Sequence, residues 1–310
     1  MKKDLRGSID IGSNSVLLLI ADVTNGNFVE VSKQSYITSL GKNLDKEKMF
    51  DPESMKVTYD AIKAYAEVCD LHQIPRNSII ATATEASRVA QNAQDFFQKI
   101  NDELGVRILK ITPAAEAYFS TKGILFNTKF ESEVITIMDI GGASTELIKV
   151  NTKTFNILET ISMPIGSVRA STWLDEKLFV QNLQKVFFDF RSEIDKFQTK
   201  ELFCVAGTVT SLGNMHLQRK EFVEDEVHGL NLTSDDIDNL FKKYSELDPK
   251  SFLDLFPFLA KRSSSIRGGL HLVYHITHRL LVKDLMISTY GLRYGTILEG
   301  KIKKEFIYGQ

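Results

Sequence analysis

Two stretches of this chain place an aspartate, a glycine and hydroxyl residues at the end of an apolar run. They are Ile9–Ser15 and Met138–Ser144. A glycine turn after a strand lets backbone N–H groups converge on an anion, because no Cβ blocks the approach. An aspartate beside the turn can hold a divalent metal that neutralises phosphate charge. Each stretch therefore contains residue types suited to binding a metal phosphate.

The two stretches follow one pattern, because aligning Asp10 with Asp139 brings Asp, Ile, Gly, Ser and Leu into register. Each is followed by a polar turn and a second strand-like run. One such turn is usually an ordinary hairpin turn, and the repetition is what favours a phosphate-binding hairpin in two copies. The candidate phosphate-binding residues are Asp10, Gly12, Ser13, Asn14 and Ser15 in the first copy and Gly141, Gly142, Ala143 and Ser144 in the second.

Alternating strands and helices must position these turns. The first 120 or so residues follow a β-β-β-α-β-α-β-α pattern, and the second half repeats the plan from about residue 126. This pattern predicts an α/β fold with two similar domains, 1–124 and 125–297, and a cleft between them. A helix at about 298–310 is expected to pack back on the first domain. A single helix is predicted over 176–197, and 213–260 is interpreted as an insertion.

Further candidates lie where predicted strands lead into helices. Arg88 follows the strand at 78–82 and is either an arginine on a solvated helix surface or a phosphate ligand. Glu116 lies in the first turn of a helix with Thr112 as its cap, and is either a partner of the helix dipole or a general base. Gly207 and Thr208 open a helix and form a second kind of candidate anion site.

The composition is that of an ordinary globular protein. The chain has 310 residues, 43% hydrophobic and 25% charged, and a formal net charge of −2. This charge gives no reason to expect nucleic-acid or membrane binding. Cys69 and Cys204 lack metal-ligand spacing and are interpreted as buried thiols in a reducing compartment. Without a leader segment or a long apolar run, the protein is expected to be cytoplasmic.

The duplicated plan resembles that of the actin, hexokinase and heat-shock-chaperone superfamily. Within it, the chain resembles the exopolyphosphatase/guanosine pentaphosphate phosphohydrolase family over nearly its whole length. The similarity rests on both hairpin turns and on four further blocks, at 83–92, 166–169, 262–269 and 291–295. It implies two ribonuclease-H-like (actin-like ATPase) domains.

The resemblance also implies an activity: release of terminal phosphate from polyphosphate or guanosine pentaphosphate (pppGpp), with Mg²⁺ or Mn²⁺. By this resemblance, Glu116 would orient or deprotonate the attacking water, and Arg88 and Arg267 would bind the phosphate chain. Asp139 and Glu146 would hold the metal, with support from Asp10. The carboxylate ligands suit either metal.

The chain departs from the family pattern at several positions. Pro113-Ala114-Ala115 replaces an acidic run before Glu116, and Ala143 replaces a glycine. Ser264 and Tyr294 stand where acidic residues are expected. By the resemblance, longer members carry a C-terminal helical extension that binds long polyphosphate, and processive action on long chains is not expected of residues 1–310. These differences affect the expected substrate preference and rate more than the fold.

Two other functions remain open at this point. One is a kinase or ATPase of the same superfamily, for which Gly207 and Thr208 are the only hint of an adenosine site. The other is a sensor that binds polyphosphate or an alarmone without turnover, which the departures near Glu116 and Ser264 favour. A homodimer is expected from the resemblance and from the apolar stretch Phe252–Phe258, whose aromatic residues are read as core or interface.

Overall fold

The computed structural model describes residues 3–126, 128 and 130–309. The chain divides into two compact units, the first formed by Met1–Gly123 with Leu292–Gln310 and the second by Ile124–Gly291. The second unit therefore ends at residue 291, whereas the sequence predicts 297. A Cβ on Gly295 would lie 2.0 Å from the carbonyl oxygen of Phe119, so this close helix contact ties residues from 292 onward to the first unit.

The first unit is built on a five-stranded sheet in the order β3-β2-β1-β4-β5. β1, β2 and β3 form an antiparallel meander, and β4 and β5 extend it in parallel from β1. Apolar and β-branched residues dominate β1 and β2, which suits strands that are largely buried. The strands are β1 (Leu5–Ile11), β2 (Ser15–Asp22), β3 (Val29–Ile37), β4 (Ile80–Ala83) and β5 (Ile108–Lys110).

Helices connect these strands and cover the sheet. The longest begins at Pro52 behind Asp51, whose side chain accepts a hydrogen bond from the Ser54 N–H, and an aspartate before a proline is a common helix start. The cap expected at Thr112 is also present, since its Oγ1 accepts from the Ala115 N–H at 3.1 Å. The helices are α1 (Leu44–Glu47), α2 (Pro52–Leu71), α3 (Glu85–Val89), α4 (Ala93–Leu104) and α5 (Pro113–Leu125).

The second unit repeats this sheet and adds one strand. Its order is β10-β11-β9-β6-β7-β8, with a β6-β7-β8 meander and β9 and β11 parallel to β6. The alignment of Asp10 with Asp139 also pairs the first strands of the two sheets end to end, Leu5 with Val134 and Ile11 with Ile140. The strands are β6 (Val134–Ile140), β7 (Thr145–Asn151), β8 (Ile157–Met163), β9 (Glu201–Val205), β10 (Asn231–Thr233) and β11 (Asp284–Ile287).

Irregularities in the two meanders also coincide. The register shifts between Ile20 and Ala21 in the first and between Lys149 and Val150 in the second, which are equivalent positions in the same alignment. A bulge is a specific local feature that increases strand twist, so its recurrence at the same place supports duplication of the whole meander. The mixed α/β fold with two similar sheets is the one predicted from the sequence.

The helices of the second unit correct one prediction. The stretch 176–197 is not one helix: a positive φ of 59° at Lys177 delays its start to Phe179, and the chain leaves helical geometry at Phe190. Two short helical segments follow, at Arg191–Ile194 and Asp195–Phe197. The helices are α6 (Ser167–Asp175), α7 (Phe179–Asp189), α8 (Arg191–Ile194), α9 (Ala206–His216), α10 (Glu224–Val227), α11 (Ser234–Tyr244), α12 (Pro249–Leu255), α13 (Ser263–Arg279) and, returning to the first unit, α14 (Leu292–Glu299). Short 3₁₀ segments lie at Thr24–Gly26, Arg76–Ser78, Asp195–Phe197, Pro257–Lys261 and Lys304–Phe306.

Each unit has its own hydrophobic core. Phe252 and Phe256, from the stretch considered for a dimer interface, are buried in the core of the second unit. Cys69 and Cys204 are buried free thiols, as expected. Burial raises the pKa of Cys69 to about 12. Within the described residues, no helix is both long and apolar enough to cross a membrane.

Candidate active site

Both hairpin turns are closed by the same backbone hydrogen bond. The Gly12 N–H donates to the Ser15 carbonyl at 2.9 Å, and the Gly141 N–H donates to the Ser144 carbonyl at 3.0 Å. We call residues 12–15 the first loop and residues 141–144 the second loop. Their shared closure shows that the duplicated sequence pattern has produced a duplicated backbone turn.

The carbonyl groups of the second loop point toward the start of α6. Residues 166–169, the second supporting segment, lie beside the loop and donate to three consecutive carbonyl groups. The Ser167 N–H donates to Gly141 O (2.9 Å), the Val168 N–H to Gly142 O (2.9 Å) and Arg169 Nη1 to Ala143 O (2.7 Å). Among the described residues, none accepts a hydrogen bond from the N–H of Gly142 or Ala143. The loop therefore has amide donors available for an anion.

The carbonyl groups of the first loop also accept hydrogen bonds, but from a different segment of the chain. Residues 38–41, the first supporting segment, donate backbone N–H groups to it. Gly41 N–H donates to Ser13 O (2.7 Å), while Thr38 N–H (3.0 Å) and Ser39 N–H (3.1 Å) donate to Asn14 O. Within the part of the chain that the structure describes, the N–H groups of Ser13 and Asn14 have no acceptor. Both loops thus bond through their carbonyls and leave two amide N–H groups for a ligand.

Each supporting segment contains a glycine that lies against its loop. A Cβ on Gly166 would lie 2.4 Å from the carbonyl carbon of Gly142 and 2.5 Å from the Ala143 nitrogen. A Cβ on Gly41 would lie 3.0 Å from Cβ of Ser13. Both positions need the small size of glycine, and the second loop is held more closely than the first.

A pair of carboxylates distinguishes the second hairpin. Asp139 lies directly opposite Glu146 in the β6-β7 register, so both side chains are on one face of the sheet. Glu146 is 2% exposed, and its Oε1 accepts a hydrogen bond from Ser162 Oγ at 2.7 Å. In the first hairpin, Asp10 faces Leu17.

This pair is chemically suited to a hard divalent cation. Mg²⁺ binds through one or two carboxylates and fills its other positions with water and phosphate oxygens. Among the described residues, no three His, Cys, Asp or Glu side chains form a group that could hold a metal. The pair Asp139 and Glu146 thus fits a metal shared with a phosphate ligand, whereas the supporting role of Asp10 stays a prediction.

The first unit brings Arg88 and Glu116 together. Arg88 Nη1 lies 3.1 Å from Glu116 Oε2 and 2.8 Å from the Ile111 carbonyl, to which it donates. Their side chains are only 7% and 12% exposed. An arginine on a solvated surface would not be held in this way, so that alternative for Arg88 is wrong. The buried ion pair fixes the orientation of both groups.

The topology explains why these residues meet. β1, β4 and β5 run parallel, and the first loop, Arg88 and Glu116 follow their carboxyl ends. Carboxyl ends of parallel strands share one edge of a sheet, which is where ligands bind in open α/β folds. In the second unit, the second loop and Gly207 follow the ends of β6 and β9 in the same manner.

Gly207 and Thr208 begin α9 at a strained turn. Ala206 has a φ of 74°, in the left-handed region that alanine disfavours. A Cβ on Gly207 would lie 2.1 Å from Cζ of Arg262, so the guanidinium lies against the start of the helix. A positive group at a helix N-terminus adds to its attraction for anions.

Arg267, a phosphate-binding residue by the family resemblance, is ion-paired within the second unit. Its Nη2 lies 2.5 Å from Oδ1 of Asp175, an exposed residue at the end of α6. The neighbouring glycines instead pack α13 closely on other helices, since a Cβ on Gly268 would lie 2.3 Å from the Ser171 nitrogen and one on Gly269 2.4 Å from Thr208 Cγ2. A phosphate-binding role for Arg267 stays a prediction.

Three residues that contact the loops, Gly41, Gly166 and Arg169, were not among the sequence candidates, and neither was Arg262, which lies against Gly207. Gly166 and Arg169 belong to a block that already carried the family resemblance, so a signal for them was present. Tyr294, one of the departures, is a core residue whose hydroxyl donates to Glu30 at 2.6 Å. Ser264 is exposed at the start of α13.

Two α/β units, each with the same glycine hairpin turn at the start of its sheet, define the actin-like class of folds. A comparison with known protein families identifies the family within this class. The model of the Ppx/GppA phosphatase family matches residues 19–304, and the chain belongs to this family.

Named relatives agree with this assignment. The chain is 31% identical to a bifunctional 3-dehydroquinate synthase/phosphatase of Fusobacterium nucleatum, covering 96% of this chain and 46% of that protein. It is 28% identical to a guanosine-5'-triphosphate,3'-diphosphate pyrophosphatase of Vibrio campbellii, covering 95% of this chain and 59% of that protein. The chain therefore spans about half the length of these curated relatives.

Solved structures show the same fold. An exopolyphosphatase from Cytophaga hutchinsonii superposes with a TM-score of 0.86 at 25% identity, covering 96% of this chain and 99% of that one. The Aquifex aeolicus member of the Ppx/GppA family superposes with a TM-score of 0.78 at 26% identity, covering 96% and 97%. The actin-like fold expected from the sequence is confirmed.

Proposed function

We propose that this phosphatase hydrolyses the terminal phosphoanhydride of inorganic polyphosphate, of guanosine pentaphosphate, or of both. The observation that carries the proposal is the second hairpin, where the pair Asp139 and Glu146 adjoins a loop with available amide N–H groups. A metal-binding pair next to an anion-binding loop suits a metal-complexed phosphate chain. Both substrates present the same terminal group to such a loop.

The roles of the residues follow from phosphoryl-transfer chemistry, which depends mainly on positioning and charge neutralisation. Asp139 and Glu146 would hold Mg²⁺ or Mn²⁺, and such an ion, when bound, neutralises charge on the phosphate oxygens. Gly142 and Ala143 would donate N–H groups to the transferred phosphoryl group. The first loop would bind phosphate oxygens through Ser13 and Asn14.

Glu116 is the proposed general base. Water oxygen bonds to the terminal phosphorus as the bridging P–O bond breaks, and one water proton passes to Glu116. The products are orthophosphate and a chain shortened by one phosphate. Arg88, ion-paired with Glu116, orients the carboxylate and adds positive charge where the phosphate chain binds.

The experiment compares phosphate release from tripolyphosphate, long polyphosphate and guanosine pentaphosphate with one preparation. Glu116→Gln should lower turnover by about 10²- to 10⁴-fold, the usual range for removing a general base. Glu67→Gln, an exposed residue of α2, is the matched control and should retain full turnover. Absence of phosphate release from all three substrates with Mg²⁺ and with Mn²⁺ would contradict the proposal.

One observation favours a second candidate, a binding protein without turnover. Arg88 already occupies Oε2 of Glu116, which leaves less of the carboxylate for water. A sensor would bind the same phosphate chains with no phosphate release, and Glu116→Gln would leave its affinity unchanged. Loss of turnover with binding retained in Glu116→Gln would reject the sensor. ADP formation from ATP in the same assay would instead indicate a kinase or ATPase.

A further inference from the structure

The first unit contains an open cavity of about 910 Å³ that the proposed chemistry does not use. Its walls come from residues 42–52, the first two turns of α2, and residues 92–99. This volume falls in the range of small-molecule sites, roughly 300–1,000 Å³.

The surface of the cavity is mostly apolar and aromatic. Phe50, Tyr59 and Phe96 line it together with the flexible side chain of Met55. Phe50 and Phe96 pack edge to face with ring centroids 6.3 Å apart. Lys99 Nζ lies 5.7 Å from the centroid of the Tyr59 ring. Phe50 and Phe96 are only 2% and 4% exposed and form the base of the cavity, whereas the half-buried Tyr59 offers a ring face on which a flat ligand can stack.

The charges around the cavity balance. Three lysines and three carboxylates line it: Lys42, Lys56, Lys99, Glu47, Asp51 and Asp60. Lys56 pairs with Asp60 at 3.3 Å, and Asp51 caps α2. A polyphosphate chain would meet as much negative as positive charge, so the cavity does not suit a polyanion. It suits a ligand of low net charge whose polar groups reach the rim.

One wall of the cavity is continuous with the first supporting segment. The chain from residue 38 to residue 50 is hydrogen-bonded to the first loop at one end, where the Gly41 N–H donates to Ser13 O. At the other end, the Phe50 N–H donates to Asn92 Oδ1 at 2.8 Å, and Asn92 Nδ2 donates to the Phe50 carbonyl at 3.1 Å. Asn92 follows the helix that carries Arg88.

From these contacts we propose that the cavity is a regulatory site for a planar heterocyclic ligand of nucleoside size and low net charge. The ligand stacks on the Tyr59 ring and fixes the position of residues 42–50. Because this segment continues into the support of the first loop, occupancy changes the affinity of that loop for phosphate. Such coupling requires that the ligand bind one arrangement of the segment better than another. Ligand binding in the cavity does not depend on the proposed hydrolysis, whereas the coupling rests on the proposed binding of phosphate by the first loop.

Isothermal titration calorimetry of the full chain with guanosine and with adenosine tests the binding. At least one nucleoside should bind with a Kd below about 1 mM, and Tyr59→Ala should weaken it at least about tenfold, equal to 1.4 kcal/mol. Tyr308→Ala, an exposed tyrosine away from the cavity, is the matched control and should leave the Kd unchanged. A second pair of variants keeps the test valid if Tyr59→Ala perturbs folding. Lys99→Ala, at the cavity, should weaken nucleoside binding, whereas Lys63→Ala, an exposed residue outside the cavity, should not.

The coupling is tested by titrating tripolyphosphate with and without saturating nucleoside. Its Kd should change by about fivefold or more in the wild type, the lower end of usual coupling energies, and should not change in Tyr59→Ala. No heat with either nucleoside up to about 5 mM, or equal binding by Tyr59→Ala and Tyr308→Ala, would overturn the site. An unchanged tripolyphosphate Kd would overturn the regulatory role. Calorimetry needs no turnover, so these outcomes are independent of whether the protein is a hydrolase.

Discussion

In the first hairpin Leu17 lies opposite Asp10, whereas in the second Glu146 lies opposite Asp139. The two hairpins share the bounds of their first strands, the bulge, the loop closure and the available amide N–H groups. They also differ in their supporting segments, because the start of a helix holds the second loop and an irregular segment holds the first. The comparison teaches that one backbone turn can carry different cross-strand partners, and that the carboxylate pair proposed to hold a metal is present in the second copy and not in the first.

The largest expected effect comes from giving the second hairpin the residue of the first. Glu146→Leu removes one of two proposed metal ligands and should lower polyphosphate turnover by about 10³-fold, or about 4 kcal/mol of transition-state stabilisation. Initial rates across a Mg²⁺ titration measure this. Glu159→Leu, on the neighbouring strand β8, controls for the added apolar surface. A Glu146→Leu enzyme within about threefold of wild type would show that the hairpins do not differ in metal binding.

A second comparison concerns how tightly the loops are held. Gly166→Ala places a methyl group 2.4 Å from the second loop and should lower the free energy of unfolding by about 2–3 kcal/mol, the cost of overpacking. Gly41→Ala meets Ser13 at 3.0 Å and should cost less than about 1 kcal/mol. Urea unfolding of both variants gives the two values. Equal losses in the free energy of unfolding would mean that both supporting segments accommodate an added methyl group equally well.

A third difference between the two units is that α14, from the end of the chain, belongs to the first unit. Tyr118 donates a hydrogen bond to Glu299 of α14 at 3.0 Å. Burial and this bond raise the pKa of Tyr118 from 10.0 to about 12. A raised pKa stabilises the fold below pH 10, and this contribution is lost as the pH rises from 10 to 12. Thermal melting across this range should show a steeper fall for the wild type than for Tyr118→Phe; parallel curves would contradict the assignment.

The smallest effect is expected at the turn after the second strand of each meander. Asp22 accepts hydrogen bonds from Thr24 there, and Asn151, the equivalent residue of the second meander, makes a similar turn. The Thr24 hydrogen bonds lower the pKa of Asp22 below 3.8. Its stabilising contribution is therefore present above pH 3.8 and is lost as the pH falls through the lowered pKa. In Asp22→Asn, the melting temperature should fall slightly less steeply below pH 3.8 than in the wild type. An equal fall in both proteins would mean that Asp22 adds no stability that Asn151 lacks.

The sequence was most informative where a pattern repeats. Asp, Gly and Ser at the same spacing in both halves predicted two equivalent hairpins, and the predicted strand ends placed Arg88 and Glu116 at junctions where a strand leads into a helix. Caps at Asp51 and Thr112 were readable because they depend on residues only a few positions apart. Such local rules require no knowledge of the tertiary structure.

Long-range packing could not be read in this way. Position 166 requires glycine because a Cβ there would clash with the backbone of Gly142 and Ala143 in the preceding hairpin. Arg267 donates a hydrogen bond to Asp175, which lies on another helix. The helix predicted from residue 176 begins only at Phe179 because Lys177 has a positive φ, which lysine gives no reason to expect. The boundary at Leu292 follows from the close contact of Gly295 with Phe119, which no sequence pattern reports.

The return of the chain to the first unit has a consequence for its synthesis. The Ile111–Ile307 bridge and the Tyr308 N–H bond to the Lys110 carbonyl complete this unit with residues translated near the end. Residues 124–291 are continuous and have left the ribosome before those contacts can form. The first unit can therefore be completed only after the whole of the second unit has been synthesised. The unit that holds Asp139 and Glu146 is continuous in sequence, whereas the unit that carries Glu116 depends on α14 from a later part of the chain.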